Sequence, residues 1–249
     1  MALSAARDFG VQSWCFREFK DNVDVAQKVR SIGLNKIELC GVHADFADPE
    51  AFKKVVDIYK AGGVTPVSIG VQTFKGEAVE RKWFECAKVG GFKHISAHFT
   101  VDTFEKAVPA TARLAEEFDI KVGLHCHGGY MFGGSEDVIK HILKIGGERI
   151  GVNIDTAWCM QAAYWYDPIK WVRETFKGRI YGVHYKDFEF NGRKWEDVVV
   201  GTGNLNLPEF IKALEETGFD GMAVIEYEKD PENPVPKLDA CVKAMRAAV

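Results

Sequence analysis

No uninterrupted apolar run in the 249-residue chain is long enough to span a bilayer, so no membrane partner is expected. No run of Lys and Arg stands out, and the net charge is −4, so nothing in the charge pattern fits a nucleic-acid partner. The N-terminal segment lacks a basic stretch followed by an apolar one, so no secretory leader is read and a cytoplasmic location is expected. The six cysteines (Cys15, Cys40, Cys86, Cys126, Cys159, Cys241) are scattered, with no CxxC pair. In that compartment they read as reduced, mostly buried thiols. Low-complexity segments and linkers are absent too.

What is present is an ordinary globular composition, 47% hydrophobic and 27% charged, which supplies a sizeable core. The length suits one large domain or two small ones, and α/β barrels commonly run this long. Short apolar segments at 9–14, 36–40, 65–72, 93–99, 121–127, 150–155, 180–187 and 222–228 read as strands. Between them, 22–33, 49–63, 79–91, 103–118 and 207–219 repeat apolar residues at three- and four-residue spacing, and several end in Gly, as helices do. The segment 233–238 reads as a rim loop after the last strand. Repeated β then α units argue for a parallel α/β sheet, and at this length for a closed (β/α)8 TIM barrel.

Side chains alternate along a strand, so one parity faces the helices and the other the barrel axis. Val122, Leu124 and Cys126 oppose Gly123, His125 and His127. Ile150, Val152 and Ile154 oppose Gly151, Asn153 and Asp155. Tyr181, Val183 and Tyr185 oppose Gly182, His184 and Lys186. Ala223, Ile225 and Tyr227 oppose Met222, Val224, Glu226 and Glu228. The axis-facing set turns polar toward each strand's C-terminal end, where TIM-barrel active sites sit. A lone inward His is ordinarily a satisfied core residue. His125, Asp155, His184 and Glu226, in phase on four consecutive strands, instead predict a site for one divalent metal ion. Mixed N/O ligation favours Mn, Co, Zn or Fe over the all-oxygen shells of Mg and Ca.

The chain resembles the xylose isomerase-like TIM barrels, the sugar phosphate isomerase/epimerase superfamily, over nearly its whole length. The resemblance is carried by "IDTAW" with Asp155, "VHYKD" with His184 and Lys186, "VVVGTGNLNLPEFIKALEETGFDG", and "VIEYE" with Glu226. It implies one TIM-barrel domain over 1–249 and a small-molecule sugar substrate. It also implies a single divalent metal held by Glu, Asp, His and Glu from the last four strands. The family's Glu-Asn-His motif reads His125-Cys126-His127 here, so His125 stands in place of a ligand Glu. Trp158 stands where many members have His. In the superfamily's ketose 3-epimerases two glutamates exchange protons on opposite faces of the substrate; with His125 a ligand, the second of these is missing. A subgroup sharing His-x-His, "KD" and "GTG" resembles lyases and hydratases of 3-keto-sugars and 3-keto-glycosides.

The expected reaction is therefore proton abstraction next to a sugar ketone, followed by elimination or hydration. Glu226, Glu228 or His98 is expected as the base, and His127 or Lys186 as the donor to the leaving oxygen. Glu38 and Gln72, read as inward-facing, are candidates either for substrate hydroxyls or for barrel-filling hydrogen bonds, and Glu228 is a candidate for substrate hydroxyls. Trp14 and Trp158 are candidates for stacking on a sugar face, with Phe16, Trp165 and Phe188 also near strand ends. The "GTGN" turn, Gly201 to Asn204, is too short for a phosphate loop and reads as a tight loop before a helix. An isomerase or epimerase working by the same enolisation, with His127 as second proton carrier, is the main alternative. An endonuclease IV-like nuclease is a remote one, disfavoured by only seven histidines and the negative net charge. A homo-oligomer is left open.

Overall fold

In the computed structural model, which describes residues 4–127, 134–163 and 166–248, eight parallel strands close into a barrel. They are β1 (Gly10–Gln12), β2 (Lys36–Leu39), β3 (Thr65–Phe74), β4 (His94–Phe99), β5 (Lys121–His125), β6 (Ile150–Asp155), β7 (Ile180–Tyr185) and β10 (Met222–Ile225), with β10 pairing to β1 to complete the ring. Between β7 and the next helix lies an antiparallel hairpin, β8 (Asp187–Asn191) and β9 (Lys194–Val198). The principal helices outside the barrel are α1 (Asn22–Ser31), α2 (Pro49–Ala61), α3 (Glu80–Gly90), α4 (Phe104–Phe118), α5 (Glu136–Gly146), α6 (Thr156–Ala163), the short α7 (Pro168–Lys170), α8 (Leu207–Glu216) and α9 (Val235–Ala247).

Local chemistry sets these bounds. Asp21, Asp48 and Asn206 each accept a backbone N–H from the first turn that follows, and Pro49 and Pro208 occupy first-turn positions that need no donor. The segment 233–238 is not a rim loop: Val235 opens α9, with Pro236 in its first turn. The helix-facing strand residues Val122, Leu124, Val152, Ile154, Val183 and Ile225 are fully buried and make the layer between barrel and helices. All six cysteines are free and buried.

Two departures from plain alternation bear on the site. Along β3, the three steps from Ile69 to Gln72 pair with the two steps from Ile95 to Ala97 of β4. The extra residue reverses the side-chain parity beyond it. The hairpin is the second departure. Asp187 organises its base, with one carboxylate oxygen accepting from Gly201 N and Gly203 N, each at 2.9 Å, and the other from Leu205 N at 3.0 Å. The "GTGN" segment is thus a loop wrapped around a carboxylate.

Candidate metal centre

His125, Asp155, His184 and Glu226 converge at the C-terminal mouth of the barrel. One ligand-type atom from each lies within 4.8 Å of the others, and all four residues are buried. Asp155 ends β6, and its Oδ1 accepts the backbone N–H of Trp158 at 2.9 Å, in the first turn of α6. Its Oδ2 is left facing His125 Nε2 at 3.6 Å, and neither atom has a hydrogen-bond partner. His98 Nε2 lies 3.1 Å from His125 Nδ1 and fixes that ring. His184 sits between two carboxylates, with Nδ1 2.9 Å from Glu226 Oε2 and Nε2 2.7 Å from Glu38 Oε2.

Charge in this pocket is unbalanced. Glu38, Asp155 and Glu226 surround His184, and Lys186 is the one fully buried Lys or Arg among the described residues. Burial alone would lower the His184 pKa, but the Glu38 and Glu226 carboxylates raise it to about 10. Burial pushes Asp155 up to about 7, against the pull of Lys186. Burial opposes ionisation of Glu226 as well, yet Lys186 and His184 hold it well below the usual carboxylate range. Desolvation drives His125 and His98 well below the ordinary imidazole value, so both are neutral and able to offer a lone pair. Two orphaned polar atoms, neutral imidazoles and excess negative charge fit a bound divalent cation.

Above the cluster opens a cavity of about 440 Å³, lined by Gln12, Trp14, His98, His127, Trp158 and Glu228 among others, with His125 and Glu226 also in its wall. A larger hollow of about 700 Å³ lies at the opposite, N-terminal end of the strands. Of the cations there, Lys121 pairs with Asp220 at 3.4 Å and Arg149 with Asp119 at 2.8 Å, and none of the four converging residues lines the hollow. The cavity with His125 and Glu226 in its wall is the candidate site.

A model of the xylose isomerase-like TIM barrel family matches residues 26–248. The chain belongs to this family. An inosose dehydratase from Lacticaseibacillus casei is 22% identical over 157 residues, covering 56% of this chain and 52% of its own. The chain thus spans about half the length of that curated relative. Among solved structures, a probable 3-DHS dehydratase, AsbF from Bacillus anthracis, superposes with a TM-score of 0.74 at 16% identity, covering 96% of this chain and 98% of that one. The IolI protein with a bound zinc atom gives 0.73 at 16% identity, with 96% of each chain covered. At these identities the structural likeness establishes the fold alone.

Within this family fold, several sequence-based expectations need correction. Gln72 does not face the axis: the extra residue in β3 turns it outward, beside Val55 and Trp83, and Val71 lines the cavity instead. Of its two expected roles Glu38 takes the barrel-filling one: it does not border the cavity, is fully buried beneath the cluster, and donors occupy both its oxygens. Lys186 is not a free proton donor. It is 1% exposed, does not line the cavity, contacts Glu228 and lies 3.6 Å from Asp197 Oδ2. Burial would lower its pKa, but Glu226, Glu228 and Asp197 raise it well above the ordinary value, so it holds its proton. His98 has its Nε2 engaged by His125, which leaves it a supporting group more than a base.

Trp14, Trp158, His127 and Glu228 do border the cavity. Trp158 stacks on His127 with centroids 4.1 Å apart, and Trp14 Nε1 donates to Glu228 Oε2 at 3.3 Å. Phe16 and Phe188 are buried, and Trp165 lies outside the described residues. Sequence reasoning missed Gln12, Asp197 and Trp195. Gln12 is a polar residue at the C-terminal end of β1, the same signal that identified the four. Asp197 and Trp195 lie on β9. The Asn191-Gly192 dipeptide between alternating apolar residues marks that hairpin, and Gly192 takes φ 61°.

Proposed function

We propose that the chain is a divalent-metal-dependent enzyme that removes a proton next to a sugar ketone and completes an elimination or hydration. The observation that carries this reading is the unpartnered pair His125 Nε2 and Asp155 Oδ2, buried beside His184 and Glu226 at the floor of the cavity. His125, Asp155, His184 and Glu226 would hold the ion. A divalent ion there supplies positive charge to the ketone oxygen and its neighbouring hydroxyl, where negative charge develops.

The chain's own residues do the rest. Glu226 borders the cavity beside the proposed ion site, which places its carboxylate to accept a proton from carbon. His127 borders the same cavity, and its ring is fixed against Trp158, which suits it to give a proton to a departing hydroxyl. The faces of Trp14 and Trp158 offer apolar surface to a sugar ring and exclude water around it. Elimination is favoured over 3-epimerisation because His125 stands where a second carboxylate base would act. Two proteins that the chain resembles, in sequence and in fold, are dehydratases by name, which supports the same direction.

The test is solvent-deuterium exchange at the carbon next to the ketone, with 3-keto-sugars and 3-keto-glycosides, in the metal-loaded enzyme. Exchange and loss of water or aglycone are expected. Glu226→Gln should reduce exchange by at least about 100-fold, the low end of a general base's contribution. Undiminished exchange in that variant would move the base elsewhere. Brisk 3-epimerisation of free ketohexoses by the natural sequence would overturn the elimination reading and give His127 the second proton.

A further inference from the structure

Beneath the cluster the barrel axis is filled by polar groups, where branched aliphatics commonly pack. At their centre is Glu38 on β2, 0% exposed. Its Oε1 accepts from Ser68 Oγ at 2.7 Å and Ser96 Oγ at 2.5 Å. Its Oε2 accepts from Gln12 Nε2 at 2.6 Å and lies 2.7 Å from His184 Nε2. These four donors come from β1, β3, β4 and β7, so the carboxylate ties together strands on different sides of the ring. A second tier holds the donors. Ser96 Oγ accepts from Asn153 Nδ2 at 2.8 Å, Ser68 Oγ lies 3.0 Å from His94 Nδ1, and Gln12 Nε2 also donates to Gly70 O at 3.2 Å.

Burying a carboxylate this deeply is costly unless each lone pair is matched, and here each is. The surrounding backbone is shaped to the group. A Cβ on Gly70 would lie 2.6 Å from Glu38 Oε1 and 2.5 Å from Ser96 Cβ, so the chain can pass there only as glycine. Such a construction is more than filling, since an apolar side chain would fill the space with no polar groups to match.

We propose that Glu38 is a positioning residue: acting through His184, it keeps a proton on Nε2 and so presents Nδ1, beside Glu226 Oε2, as the ligand atom. The inference rests on the metal reading of the cluster. An ionised carboxylate can only accept, so the nitrogen facing it must carry hydrogen. Without an ion the two flanking carboxylates favour a proton on each nitrogen; a bound ion would displace the one on Nδ1, leaving a neutral ring whose single N–H is at Nε2. Gln12, Ser68 and Ser96 hold the carboxylate at the angle that sets the ring. Outer carboxylates of this kind orient ligand histidines and raise their basicity.

The test titrates metal-depleted protein with Zn²⁺ by calorimetry, and reads the His184 ring ¹⁵N shifts in the Zn²⁺-loaded protein. Wild type should show His184 protonated at Nε2 only. Glu38→Gln should bind Zn²⁺ about 10- to 100-fold more weakly, with the His184 ¹⁵N pattern altered. Ser68→Ala removes one donor and little volume; it should weaken binding in the same direction by a smaller factor, and it serves if Glu38→Gln does not fold. A folded Glu38→Gln with wild-type Zn²⁺ affinity and unchanged His184 shifts would overturn the assignment. So would unchanged affinity in Ser68→Ala where Glu38→Gln is unfolded. A Glu38 that merely stabilised the fold would lower the melting temperature without moving either readout. Asp155→Ala separates the two readings. If wild type binds Zn²⁺ and Asp155→Ala does not, the metal centre stands whatever Glu38 does. If Asp155→Ala binds as wild type does, the metal reading fails and the Glu38 proposal with it.

Discussion

At the residue scale, the site is built from groups whose burial would be unfavourable alone. His94 shows the cost in measurable form. It is 5% exposed, its Nε2 has no partner, and burial lowers its pKa from 6.5 to about 4, against the pull of Glu38. The folded state therefore keeps the imidazole neutral, while the unfolded chain protonates it near 6.5. Between those two values the unfolded state binds more protons, so stability falls as pH falls, by about 3 kcal/mol at pH 4. Denaturant melts of metal-depleted protein at pH 7, 5.5 and 4 should show this slope. His94→Gln should flatten it by roughly that amount; an unchanged slope would mean that His94 is not the group responsible. Parity alone places His125, Asp155, His184 and Glu226 inward from the sequence. It could not distinguish a residue above the cluster from one beneath it. Glu38 and Lys186 therefore looked like cavity residues, although the matching of buried charge had placed them under the floor.

At the element scale, alternation is reliable only while strands keep step. Strands β4 to β7 carry the inward polar residues where period-two counting puts them. Strand β3 does not, because its extra residue between Ile69 and Gln72 costs the counting one unit. Nothing in "SIGVQTF" announces that residue except Gly70. Its lack of a side chain admits Glu38 and Ser96 at close range. Gly70→Ala should therefore destabilise the fold by about 1–3 kcal/mol, as overpacking does, and weaken metal binding by displacing Glu38. Thermal melts with and without Zn²⁺ would read both effects, and an Ala variant with wild-type stability and Zn²⁺ response would contradict the tight fit. The hairpin β8–β9 was hidden for a different reason. Residues 180–187 read as one strand because no apolar break follows Tyr185, and a local turn signal gives no tertiary address. Where β9 docks is decided by Asp197, which accepts from Glu228 N at 2.7 Å and lies beside Lys186.

At the scale of the whole molecule, the barrel was legible because eight strands and their helices repeat a pattern that few other architectures accept. The candidate site was legible only to the extent that four consecutive strands carry donor atoms at or next to their C-terminal ends. In the proposed function the direction of reaction rests on a single position: His125 lacks a carboxylate's charge and as a ligand is not free to take a proton, which leaves Glu226 as the one carboxylate of the cluster that borders the cavity. No helix among the described residues is long and apolar enough to cross a membrane.

The proposed function depends first on these four side chains holding one divalent ion. Its most direct test is anomalous diffraction from crystals grown with Mn²⁺ or Zn²⁺, recorded on both sides of the metal's absorption edge. One strong peak per chain is expected at the barrel mouth, touched by His125, Asp155, His184 and Glu226 at about 2.0–2.3 Å. A peak bound by other residues, or no peak at the mouth at a saturating metal concentration, would contradict it.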